Sequence, residues 1–124
     1  MDSAKYQRFC EAAIRKTKKG TIQWERFPKS ATIPDVLDKE RSFLCSFGSG
    51  KMILSIVKET GTAVCLVSPD KNLPFQQITG EDDSDESYIL RLYNLVYNQF
   101  PSIDSFVDSM INSPDETDPD DLPF

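Results

Sequence analysis

Histidine is absent from this chain of 124 residues, glycine occurs only five times, and no apolar run approaches the ~20 residues of a membrane-crossing helix. Each gap excludes something. Without histidine the chain lacks the usual general base near neutral pH and the commonest metal ligand. No glycine-rich phosphate loop is present, and Gly48-Ser49-Gly50 reads as a hairpin turn. Cysteine is sparse: Cys10, Cys45 and Cys65 are odd in number, far apart and set among apolar neighbours. They read as reduced core residues of a cytoplasmic protein rather than as disulfides or metal ligands. Serine and cysteine nucleophiles have no activating partner in the pattern. Consecutive acids at 81–86 could hold a divalent ion, but such a run at a helix start is ordinarily solvated. The expectation is a protein that is not an enzyme, with no metal and no cofactor. Met1-Asp2-Ser3-Ala4-Lys5 lacks the basic-then-apolar pattern of a signal peptide, so neither a leader nor a membrane span is expected.

Positive charge is scarce in the second part of the chain. Residues 1–80 hold thirteen Lys or Arg against eight Asp or Glu, whereas residues 81–124 hold Arg91 alone against twelve acids. The net charge of −6 therefore hides a basic body joined to a strongly acidic end. That asymmetry suits an anionic partner for the body, or an end that competes with such a partner. The cations Arg15, Lys16, Lys18, Lys19, Arg26 and Lys29 lie close in sequence, with Trp24 and Phe27 among them. Basic residues interleaved with exposed aromatics hold single-stranded nucleic acid through phosphate contacts and base stacking. Against that stands a plainer origin for each part. Trp24 falls on the inward side of an alternating stretch and suits the core better, and the lysines complement the end of a helix.

Local patterns define the body. Tyr6, Phe9, Cys10, Ala13, Ile14 and Thr17 recur at helical spacing and predict a helix over 3–18, with Ser3 as N-cap and Gly20 just past its end. Alternation over 21–27 predicts a strand closed by Pro28. Residues 32–40 leave room for a short helix opened by Pro34. Three strands come next, over 43–47, 51–58 and 63–67, separated by glycine-bearing turns, and 75–79 can add an edge strand. A helix over 87–100, capped by Ser84 or Asp85, carries Ile89, Leu92, Tyr93, Val96, Tyr97 and Phe100. Its wide apolar face suits either the core or a dimer surface. A last helix from Ser102 carries Ile103, Phe106, Val107, Met110 and Ile111. Short hairpin turns force antiparallel pairing. The predicted fold is a two-layer α+β domain over residues 1–112. In it an antiparallel meander of three to five strands packs against an N-terminal helix and two C-terminal helices.

Residues 113–124 complete the chain as an acidic tail with three prolines and no basic residue, too polar to bury a core and expected to be disordered. The tail finishes on Asp120-Asp121-Leu122-Pro123-Phe124. This tip resembles, position by position, the C-terminal tip of the bacterial single-stranded-DNA-binding protein (SSB) family, where an acidic run ends in Asp-Asp-Ile/Leu-Pro-Phe. The resemblance covers about a tenth of the chain. It implies that the tip recruits repair, recombination and replication proteins. Phe124 and a terminal carboxylate would anchor, Leu122 would add apolar contact, and the acids would steer toward a basic pocket. SSB folds as a five-stranded barrel with a helix between its third and fourth strands, and the order of elements here does not match it.

The expected role is therefore a small non-enzymatic protein of DNA metabolism, with genome-maintenance proteins as partners of the tip and single-stranded DNA as a candidate ligand of the body. The alternative is an interaction protein of a phage or mobile element. It would present the same tip to capture or inhibit host repair or defence proteins without binding DNA. A solubilising tail on an unrelated domain is the plainest reading.

Overall fold

An aspartate starts the first helix. In the computed structural model, which describes residues 1–100 and 102–114, α1 runs over Ser3–Lys19. The carboxylate of Asp2 accepts from the backbone N–H of Lys5 at 2.8 Å, so Asp2 rather than Ser3 is the cap. Gly20 ends the helix at φ 79°, returning its N–H to the carbonyls of Lys16 and Thr17, a left-handed geometry that glycine adopts without strain. Tyr6, Cys10, Ala13 and Thr17 form the buried stripe.

The body is α+β, as the pattern predicts. Five antiparallel strands form an open sheet in sequence order: β1 (Glu25–Arg26), β2 (Phe43–Phe47), β3 (Gly50–Ile56), β4 (Ala63–Ser68) and β5 (Gln76–Ile78). Phe47 pairs with Gly50 across a two-residue turn, which sets the register that places Phe43 opposite Leu54 and Cys45 opposite Met52. Strand β1 is shorter than the alternation over 21–27 suggests. Only Glu25 and Arg26 find ladder partners, Leu44 and Phe43. Ile22 and Trp24 serve one face of the sheet and Phe27 the other, so the chain changes sides as it passes the edge.

One sheet face lies under α1 and α2 (Glu86–Tyr97), where Phe43, Leu54, Cys65, Ile89, Leu92 and Val96 are almost wholly removed from water. The opposite face is covered without a helix. Phe27, Ile33 and Leu37 fold over Ile53 and Val64. Residues 32–40 form no α-helix because their backbone groups are engaged at the end of β3. Asp38 donates its N–H to Ile56 and Val36 accepts from Lys58, each at 2.9 Å, and the segment ends in a 3-10 turn over Lys39–Arg41. All three cysteines are free and buried, and burial pushes the Cys10 thiol up to about 11 and that of Cys45 up to about 12.

Asp85 stands at the N-cap position of α2, as expected, but its side chain makes no capping bond to the helix. Its side chain turns inward, is 1 % exposed, and accepts from Ser3 Oγ at 2.7 Å, Gln7 Nε2 at 3.1 Å and the Asp82 N–H at 3.3 Å. Those bonds tie the start of α1 to the start of α2. The third helix, α3 (Ile103–Asn112), differs from the other two in leaving its apolar residues in water.

The hydrogen bonds from Ser3 and Gln7 hold the Asp85 carboxyl below the usual aspartate range, against the opposing effect of its burial. A lowered folded-state value stabilises the fold above an unfolded value of about 3.9 and is lost as pH falls through the folded value. Asp85→Ala should lower the urea midpoint at pH 7, and its deficit against the parent should shrink as pH drops below about 4. Gly80→Ala should act in the same direction, because a Cβ there would stand only 2.6 Å from the Cβ of Asp85.

Candidate nucleic-acid and partner interface

The six cations singled out in the sequence fall at opposite ends of β2. Arg15, Lys18 and Lys19 project from the solvent side of α1, all exposed, and Lys16 flanks the buried stripe. Three of the four sit in the last turn, where unpaired carbonyls favour positive charge. The Lys16 ammonium stands 5.6 Å from the ring centroid of Phe47, which closes β2 and is 52 % exposed. Arg26 and Lys29 occupy a second cluster at the start of β2, where a cleft is lined by Arg26, Phe27, Lys29, Lys39, Glu40 and Ser42. The Arg26 guanidinium lies 5.4 Å from the Phe100 ring centroid, and Phe100 in turn stacks on Phe43 at 4.8 Å. Phe43 and Phe47 stand four residues apart on one strand, so the two clusters are separated by roughly 13 Å.

The aromatics that alternate with those cations in sequence are not their neighbours at the surface. Trp24 is buried and donates its indole N–H to Thr17 Oγ1 at 3.0 Å, and Phe27 is buried on the opposite sheet face. Neither ring can stack a base without opening the core. Phe47 was not among the residues the sequence pointed to, yet it is an exposed aromatic with one of the six cations, Lys16, beside it. Its signal lay in the strand period. Phe43, Cys45 and Phe47 share a face, and Phe47 is the last of them, beyond the cover of the helices.

Compared with protein-family models, curated proteins and solved structures, this chain matches none. The site is therefore read from its own residues. Asp120, Asp121, Leu122, Pro123 and Phe124 lie outside the described residues, as does the whole tip. Among the described residues no group of three or more Cys, Asp or Glu is placed to hold a metal ion, and no helix is long and apolar enough to cross a membrane. Asp82 in the acidic run spends its carboxylate on the Ser84 N–H at 3.1 Å, a local turn contact. The Tyr93 hydroxyl donates to the Arg41 carbonyl at 2.7 Å, and burial raises its pKa to about 12, which suits a structural tie.

If a single strand binds the α1 end of this surface, Phe47 and not Trp24 should report it. Adding an oligothymidylate should leave the emission of buried Trp24 unchanged, whereas Phe47→Ala should weaken binding by anisotropy by about 1–3 kcal/mol.

Proposed function

We propose that this chain is a small, non-enzymatic, cytoplasmic protein of DNA metabolism that recruits genome-maintenance proteins through an SSB-like tip. The observation that carries the reading is the run Asp120-Asp121-Leu122-Pro123-Phe124 at the end of a segment with five further acids between Asp104 and Asp118 and no cation after Arg91. A basic pocket would take the acids and the terminal carboxylate, and an apolar slot would take the Phe124 ring. Pro123 would stiffen the approach and limit the entropy lost on docking. Such docking requires that Phe124 carry the chain's own carboxylate, so adding residues after it should abolish capture.

Single-stranded DNA is the proposed ligand of the body. Support comes from the exposed cations Arg15, Lys18, Lys19, Arg26 and Lys29, with Lys16 beside Phe47. An acidic tip and a phosphate backbone would compete for such a surface, so removing the tail should tighten DNA binding at low salt. The burial of Trp24 and Phe27 favours the second reading: a phage or mobile-element protein that presents the tip to occupy host repair or defence proteins, with no DNA affinity of its own. DNA affinity separates the two.

Pull-down from a bacterial lysate checks recruitment with three baits: the intact chain, one lacking only Phe124, and one extended past Phe124. Helicases, nucleases or recombination mediators should be retained by the first alone. The same proteins on all three baits would reduce the tail to a solubilising segment.

A further inference from the structure

The apolar face of α3 is a feature that this function leaves unused. Ile103 is 83 % exposed, Ile111 72 %, Phe106 66 %, Met110 65 % and Val107 44 %. At 3.6 residues per turn these five side chains fall in one stripe about 140° wide. Asp104 and Asp108 lie four residues apart on one edge of the stripe, and Ser109 lies toward the other. No charged residue interrupts it.

Two magnitudes indicate that this face is covered. An isolated helix shorter than about 12–15 residues is marginal in water, and ordinary helical stability comes from a packed apolar side. With ten residues and no cation to pair with Asp104 or Asp108, α3 has neither the length nor the side-chain pairs to stand alone. Its five apolar side chains leave roughly 600 Å² in water, a contiguous patch at the upper end for a monomer. Two such faces laid together remove about 1,000–1,200 Å², which reaches the lower bound of a specific interface.

The edges of the stripe favour a second copy of this chain as the occupant. A parallel two-fold pairing sets the aspartate edge of one α3 against the Ser109 edge of the other, so like charges do not oppose across the seam. An anionic lipid surface would repel Asp104 and Asp108, and α3 carries no cation to attract it. We propose that α3 is a self-association element: two copies pair α3 on α3 through Phe106, Met110 and the flanking Ile103, Val107 and Ile111. Because the area is small, the dimer is weak, with dissociation in the micromolar range. A dimer carries two copies of the C-terminal tip, so a partner with two pockets would gain avidity. The pairing itself does not depend on what the tip binds.

Sedimentation equilibrium on the full chain from about 1 to about 500 µM tests it, a range that brackets a weak interface of this size. The weight-average mass should climb from one chain toward two. Phe106→Ser combined with Met110→Ser should hold it at one chain across the range. Val36→Ser, which removes an apolar side chain 64 % exposed on a different segment, should associate like the parent. A parent that stays at one chain at the top of the range would overturn the proposal and assign the face to another protein's groove. So would a double variant that associates like the parent, or loss of association in Val36→Ser.

Discussion

The two helices that roof the sheet come from opposite ends of the folded body, and a buried carboxylate joins them. Asp85 takes a proton donor from each of two turns of α1, Ser3 and Gln7, and a third from Asp82 just ahead of it. A carboxylate held out of water needs such donors, and these three join the start of α1 to the start of α2. Below it, α1 and α2 meet over the shared core of Tyr6, Cys10, Ile89 and Leu92. Apolar burial supplies the driving force there, and the polar tie fixes how the helices align. At the other end of α2, the Tyr93 hydroxyl on the Arg41 carbonyl and the Phe43–Phe100 stack hold the helix to the entry of β2.

This arrangement divides the molecule by charge. The six candidate cations sit on α1 and around β1, and twelve of the twenty acids lie from residue 81 onward. Among the described side chains of that acidic run Asp85 is drawn into the fold, and the described residues past Phe100 add little to the core. On the proposed reading residues 1–100 form the folded body, and the chain from Ile103 onward is free of that core and adds contacts with other molecules. On this account α3 and the tip are successive parts of one recognition segment, the first apolar and self-complementary, the second acidic.

Periodicity made the elements legible wherever one face of an element meets the core. Helix α1, the β2–β3 and β3–β4 hairpins and helix α2 stand within a few residues of where the pattern puts them, because a buried stripe leaves a repeat of 3.6 or 2. Three things were not legible for reasons of geometry. The stretch 21–27 alternates as a strand should, yet the pattern cannot tell that Phe27 turns to the far face and that only two residues find partners. The stretch 32–40 has helical residues, but its backbone is claimed by β3, which lies some twenty residues away. Asp85 reads as a helix cap, and its partners Ser3 and Gln7 are about eighty positions distant. For the candidate site, the cations were found and their aromatic companion was not. Trp24 and Phe27 are adjacent to them in sequence, whereas Phe47 is brought to Lys16 by folding. A helical stripe at 103–111 was visible too, but a stripe alone does not say what covers it.

If the folded core ends before α3, truncating the chain after Ser102 shows it most directly. The shortened protein should keep the urea midpoint and slope of the full chain to within about 0.5 kcal/mol, measured below the concentration at which the parent associates, since every described side chain it loses is exposed. A loss of more than about 2 kcal/mol, or a change in slope, would show that residues 103–124 belong to the core, and would contradict the division of the chain into folded body and recognition segment.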